Sequence, residues 1–415
     1  MKRIVIIGAG FGGLSAGAEL SRLGLDVTVL EAHIYPGGCA GTFYHRGYRF
    51  DAGATLAGGF APGAPMDRLA RHYEIDWEAR PTSRAMSIHM PDESTITRWT
   101  DPQRWESERR VQFGNQAEPF WRWQESTADA LWGFALRLPP WPPQTMSDLL
   151  NLSKSGLASL GDMLKVAPDS LRPVAAHLKN APERLRLFLD AQLLISAQTT
   201  SSSANALYSA AALDLARQGV SHVHNGMGGM AEKLVKTIQR HGGRVRFRQE
   251  VKQVSKNRDG AFIVKTKRGV SLPADMVIFN LPPWNIPTLL EGAIPSRLQR
   301  LPEKPRRGWG AFVAYVGLDD KYIPDDIALH HQVLLREPLG EGNSIFISLS
   351  PPWDKERAPD GKRALTISTH TQLQPWWDIY ERDQDRYEAR KKEYLQRCYH
   401  WLRGLSQILT REPIC

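Results

Sequence analysis

The chain opens Met-Lys-Arg3-Ile4-Val5-Ile6-Ile7-Gly8-Ala9-Gly10-Phe11-Gly12-Gly13-Leu14, and this stretch restricts the fold more than any other. Four consecutive β-branched residues, Ile4 to Ile7, closed by Gly8, predict a strand buried on both faces, as in a parallel sheet. Gly8, Gly10 and Gly13 stand in the pattern G-x-G-x-x-G, with Ala9 and Gly12 between them. The first glycine permits a tight turn, the second lets backbone approach a pyrophosphate, and the third lets helix and strand pack closely. An anion would then rest on the free N–H groups that open the next helix, where the macrodipole favours negative charge.

The residues that follow agree. Leu14 to Leu23 is rich in Ala, Leu and Glu, carries Gly13 and Gly17 four apart on one face, and stops at Gly24. Asp26-Val27-Thr28-Val29-Leu30 predicts the second strand, with Glu31 at its end, 18 residues beyond Gly13. A carboxylate there accepts hydrogen bonds from a ribose 2′-hydroxyl and repels a 2′-phosphate, which disfavours NADP. A purely structural glycine turn leaves Glu31 without a reason. A second glycine-rich loop comes next, Tyr35-Pro36-Gly37-Gly38-Cys39-Ala40-Gly41-Thr42, and then Asp51-Ala52-Gly53-Ala54-Thr55, where an NAD domain would usually enter another helix.

With these elements together, the chain resembles the FAD-dependent phytoene desaturase and carotenoid isomerase family. That family combines the nucleotide glycines, the acid, a Gly-Gly-x-x-Gly-Thr loop and an Asp-x-Gly-x-Thr turn. The resemblance implies an α/β fold: a Rossmann-like, glutathione-reductase-like FAD-binding domain interleaved with an α+β substrate domain. It implies FAD contacts at Gly8, Ala9, Gly10, Gly12, Gly13, Glu31, Gly38, Cys39, Gly41, Thr42 and Thr55. Cys39 stands where a common variant of the loop has an arginine, so a pyrophosphate contact there would come from backbone.

Composition narrows the field. At 415 residues, 42% hydrophobic and 23% charged, the chain can bury two sizeable cores. Nothing approaches the ~20 apolar residues that span a bilayer, so a cytoplasmic protein is expected. Three cysteines, Cys39, Cys398 and Cys415, form no C-x-x-C pair, and the twelve histidines show no metal-ligand spacing, so neither a disulfide framework nor a metal site is expected. The net charge of +9 comes from scattered basic residues without a nucleic-acid-binding motif. An anionic membrane surface is the better use for it, and a merely soluble basic surface remains the alternative.

Along the chain, FAD-binding segments are expected at residues 1–75 and 218–283, and substrate-domain segments at 76–217 and 284–415. Six tryptophans, at 99, 105, 121, 123, 132 and 141, suit a core, an apolar pocket or a membrane interface alike. Pro139 to Pro143 makes a rigid break, and the amphipathic stretch Leu149 to Val166 is a candidate membrane contact or a core-facing helix. Arg184–Ser196 and Asn205–Arg217 predict helices. Asn225 to Met230 leads into a helix with Leu234, Val235 and Ile238 on one face, and Arg244 to Val251 alternates as a strand. A small antiparallel excursion and the strand Ala274–Asn280 follow, then strands near Gly310–Tyr315, Ser344–Leu349 and Arg363–Thr369, and a charged helix from Arg382 to Leu405.

By the same resemblance the backbone of Val251 faces the adenine. Asp101 to Trp123 is most similar to the carotenoid 3′,4′-desaturase branch. Family members close with a glycine-rich strand and helix that return to the nucleotide domain; this chain ends at Ile414-Cys415 without them, which reads as a truncated C-terminus with weakened FAD binding. The expected activity is FAD-dependent desaturation of a carotenoid, an apolar polyene. The rivals are carotenoid cis–trans isomerisation by reduced FAD and a truncated, non-catalytic carotenoid- or membrane-binding protein. No residue is singled out as catalytic acid or base.

Overall fold

The computed structural model describes residues 1–137, 145–148, 150, 166–257, 259–292, 296–299 and 307–409, with backbone only at 297 and 399–409. The β-branched run forms the strand its composition predicts. β1 (Arg3–Ile7) lies inside a four-stranded parallel sheet ordered β10 (Arg244–Arg246), β2 (Asp26–Leu30), β1, β14 (Met276–Phe279). Ile6 pairs with Val29 on one side and Ile278 on the other. Both faces are covered: Ile4 and Ile6 join one apolar cluster, Val5 and Ile7 another.

Helix α1 (Phe11–Arg22) packs on the first face beside α7 (Met227–Arg240). A Cβ at Gly17 would lie 3.0 Å from Ile238 Cδ1 and 3.2 Å from Val29 Cγ2, so only a minimal residue lets the three elements close. Met230, Leu234, Val235 and Ile238 bury as their spacing predicts, and α2 (Pro65–Tyr73) adds Tyr73 to the same cluster. The antiparallel strands β11 (Val251–Lys256), β12 (Phe262–Thr266) and β13 (Ser271–Ala274) cover the second face. The expected single strand from Arg244 to Val251 is therefore two. Arg248 adopts φ 55°, its N–H reaches His33 O at 2.9 Å, and the chain crosses the end of β2 before Val251 opens another sheet. Val245, Phe247 and Val251 keep a two-residue period with only Gln249 out of step, which hid the break.

The other large sheet has the order β15 (Trp309–Asp319), β18 (Lys362–Gln372), β17 (Ser344–Leu349), β16 (His330–Leu334), β7 (Arg84–His89), β8 (Thr95–Trp99). Residues 84–99 thus share a sheet with 309–372. One face packs against α3 (Pro102–Phe113), α4 (Glu118–Ala135), α5 (Glu183–Ala197) and α6 (Ala206–Leu213) through Ile88, Ile96, Phe113, Phe188 and Leu189. Trp105 and Trp121 meet edge to face at 5.4 Å inside this core, with Trp99 and Trp123 at its margin, so these four indoles are core residues. Trp141 and most of the amphipathic stretch Leu149–Val166 lie outside the described residues. The opposite face carries Ile345, Ile347, Leu365 and Ile367 with Cys398 of α9 (Gln384–Leu409). A separate helix, α8 (Leu373–Arg382), precedes it and was not expected.

Two small units join the sheets: the hairpin β3 (Thr42–His45) with β4 (Tyr48–Asp51), and the trio β5 (Ala57–Gly58), β9 (Val220–Val223), β6 (Ala79–Pro81). Four histidines are buried on β7, β9 and β16. His89 Nε2 lies 3.1 Å from His331 Nδ1, and the rings of His222 and His330 stack at 5.1 Å. Burial, helped at His222 by the charge of Arg357, lowers both His222 and His331 to about 4, and His330 falls well below its usual value. The unfolded chain therefore binds more protons than the fold between pH 6.5 and about 4. This stability is complete above pH 6.5 and is lost as pH falls toward 4. Calorimetry across that window should show a falling Tm, with each group contributing roughly 1.4 kcal/mol per pH unit at most.

Candidate functional site

β1 runs into Gly8 at φ 102°, whose N–H donates to Leu30 O at 2.8 Å and whose missing Cβ would lie 2.6 Å from Asn280 O. Gly10 begins α1, no side chain caps the helix, and its first turn has no acidic residue. A Cβ at Gly10 or Gly12 would come within 2.9 Å of the Asn280 amide, and one at Gly13 within 2.2 Å of Gly8 O. At these four glycines only bare main chain fits.

The second glycine loop lies against the first. Gly37, at φ 110°, donates its N–H to Ala9 O at 2.8 Å, and a Cβ on Gly38 would be 3.4 Å from Gly10 Cα. Cys39 is exposed and unoxidised, and its carbonyl accepts from Ala54 N at 3.3 Å, while Gly41 O accepts from Ala52 N at 2.8 Å. The Asp51–Thr55 turn is wrapped onto this loop through backbone.

Glu31 is buried at the carboxyl end of β2. Its Oε2 accepts from Ala9 N at 2.7 Å and its Oε1 from His33 N at 2.8 Å, so two backbone donors fix the carboxylate while each oxygen keeps a further lone pair. Gln249 N donates to Glu31 O at 2.7 Å, bringing the chain before Val251 alongside, and the Val251 side chain is buried with Leu30. The glycine loops, Glu31 and the main chain leading to Val251 are therefore contiguous.

Thr42 differs from its neighbours. Its hydroxyl donates to Asp51 Oδ1 at 2.6 Å and accepts from Gly228 N at 2.7 Å, so the side chain ties the hairpin to α7. Thr55 lines a polar cavity of about 20 Å³ with Asp51, Ser221, His222, Ser348 and Arg357. Asp51 Oδ1 also accepts from Met227 N at 3.0 Å, and its Oδ2 pairs with Arg357 Nη2 at 3.0 Å. The sequence reading missed Arg357, which no local pattern connects to Asp51. It also missed Asn280, although the end of a parallel strand beside the first glycine loop is where ligand contacts gather. Among the described residues no group of three His, Cys, Asp or Glu could hold a metal.

These residues fit FAD. Two loops that exclude side chains by contact distance suit a pyrophosphate approached by backbone, and a carboxylate anchored with lone pairs to spare suits a ribose diol. Comparison with known proteins agrees. A family model described as flavin containing amine oxidoreductase matches residues 11–403. The chloroplastic prolycopene isomerase of Arabidopsis thaliana is 23% identical over 436 residues, covering 99% of this chain and 70% of that protein. The neurosporene-forming phytoene desaturase of Rhodobacter capsulatus is 28% identical over 291 residues, covering 68% of this chain and 52% of its own. An oxidoreductase structure from Methanosarcina mazei superposes with a TM-score of 0.59 at 16% identity, over 91% of this chain and 81% of that one, a likeness of fold alone.

Substitution separates the two kinds of contact. Gly13→Ala, whose Cβ has no room, should purify with little flavin absorbance. Glu31→Gln, which turns an amide donor toward the Ala9 N–H, should weaken cofactor binding by roughly tenfold or more in an apoprotein titration. Unchanged occupancy in both variants would remove this loop from the cofactor site.

Proposed function

The chain belongs to the flavin-containing amine oxidoreductases, and from that premise we propose that this FAD-dependent enzyme removes hydrogen from an apolar polyene and extends its conjugation. The observation that carries the reading is a cluster of aromatic rings packed beside the Asp51–Thr55 turn. Tyr315 of β15 donates to Ala52 O at 3.3 Å, meets Phe43 at 4.9 Å and lies 5.3 Å from Phe50. Flat, uncharged faces suit a conjugated chain. The two carotenoid-processing relatives, similar over 99% and 68% of this chain, support the same substrate class.

In this reading Gly8, Ala9, Gly10, Gly12 and Gly13 hold the pyrophosphate with the start of α1. Glu31 takes the ribose hydroxyls and the Val251 main chain takes the adenine. Gly38, Cys39, Gly41, Thr42 and Thr55 shape the flavin end through backbone, since the Thr42 hydroxyl is already engaged. When bound, the flavin supplies the capacity to accept a hydride. The protein aligns the polyene and keeps water away. Residues 1–75 with 218–283 form the cofactor domain, and 76–217 with 284–415 the substrate domain. The shared sheet of residues 84–99 and 309–372 supports that division.

A second reading, isomerisation without net oxidation, is favoured by the 99% coverage against a prolycopene isomerase. Mass spectrometry of products from holoprotein given phytoene or prolycopene distinguishes the two. Products should be lighter by two hydrogens or a multiple; unchanged mass with altered retention would establish isomerisation instead, and recovery of unaltered substrate from both would sink the polyene assignment.

No helix among the described residues is long and apolar enough to cross a membrane. The +9 net charge supports collection of an apolar substrate from an anionic membrane surface. Sedimentation with vesicles should then rise with acidic lipid and fall with salt, and binding indifferent to both would end that part of the reading.

A further inference from the structure

We propose that His222 carries protons between solvent and the interior beside the Thr55 turn. The purpose assigned to it rests on the polyene reading; its test does not. Taking a hydrogen pair from adjacent carbons as hydride and proton forms one double bond, sends the hydride to the flavin and leaves one proton for each bond made. An apolar, water-poor site must discharge that proton.

Two cavities meet at one side chain. The outer one is a cleft of about 210 Å³ lined by Arg80, Thr82, Asp325, Trp353 and Arg363. The inner one, about 20 Å³, has room for a single water and is lined by Asp51, Thr55, Ser221, Ser348 and Arg357. His222 is the residue that lines both. Its side chain makes no hydrogen bond to a described residue, which leaves both ring nitrogens for water. The wall beside it is polar as well, because Arg363 Nε donates to Ser350 O at 2.5 Å and Ser350 lines the inner cavity.

Behind His222 lies a second imidazole. His330 stacks on it at 5.1 Å, holds Nδ1 3.0 Å from Ser348 Oγ, and keeps a buried Nε2 with no partner among the described residues. Arg357 and His330 face His222 on the inner side, with Arg363 and Asp325 lining the outer cleft. Burial and the Arg357 charge keep both imidazoles neutral. A neutral imidazole offers one N–H and one lone pair, so it can take a proton on one face and release another from the opposite face. It does so without storing charge beside the Asp51–Arg357 pair.

Reduction of the holoprotein by the methyl viologen radical cation, which gives up an electron without a proton, provides the test, since a flavin accepting two electrons takes up at least one proton. Stopped flow with a pH-indicator dye compares proton uptake with loss of flavin absorbance. In the native protein the two should run together. In His222→Ala uptake should lag by roughly a hundredfold, and imidazole buffer, which can enter through the enlarged outer cleft, should restore it. His222→Gln keeps hydrogen-bonding groups but cannot exchange a proton this way; it should melt like the native protein and lag like the alanine variant. Uptake that keeps pace with reduction in either variant, or a lag indifferent to imidazole in His222→Ala, would overturn the proposal. No polyene enters the measurement, so the substrate assignment can fail on product analysis while this result stands.

Discussion

The buried pair between Asp51 and Arg357 fixes the relation between the cofactor loops and the rest of the chain. Asp51 ends the hairpin that follows the second glycine loop. One of its oxygens holds the Thr42 hydroxyl and the first N–H of α7, and the other meets a guanidinium that is itself buried. A carboxylate at a helix N-terminus is favoured by the macrodipole, and here the same group also neutralises an arginine beyond reach of water. Breaking such a pair from one side leaves a buried charge alone, typically a loss of about 3–5 kcal/mol. Gly226 belongs to this arrangement, because a Cβ there would lie 2.4 Å from Asp51 Oδ1. The loops that carry little side-chain chemistry are thus positioned by one concentrated polar contact behind them.

Local pattern made the cofactor half legible. Four β-branched residues, three glycines in register and a carboxylate one strand later each have a short-range physical reason, and each stands where that reason puts it. The antiparallel excursion and the strand before Asn280 were legible for the same reason. Failure came where the decisive contact is remote or where a pattern outlasts its element. Val245, Phe247 and Val251 keep a strand's period with only Gln249 out of step, yet Arg248 turns left-handed so that the chain can cross β2. Arg357 lies 306 residues from Asp51 and carries no motif. His89 and His331 are 242 residues apart, and nothing around either announces a buried ring. The tryptophans were ambiguous in sequence because indole suits a core and an interface equally; packing against Phe113 and Phe188 settles Trp121.

Polarity is handled differently in the two regions. At the glycine loops, side chains are excluded and the main chain supplies the free donors. Around β9 and β16, imidazoles are admitted but kept neutral, so hydrogen bonds persist where charge would be costly.

The strand order of the parallel sheet bears on how the protein is made. β1 is flanked by β2 and β14, and Arg3 bonds Asp275 across 272 residues. At roughly 5–20 residues per second, a ribosome that has released β1 delivers its second neighbour about 15–50 seconds later. Throughout that interval the nascent chain displays one unpaired edge of this apolar strand. Until β14 emerges that edge is open to pairing with another chain, the hazard that a buried parallel strand carries whenever its neighbour is encoded late.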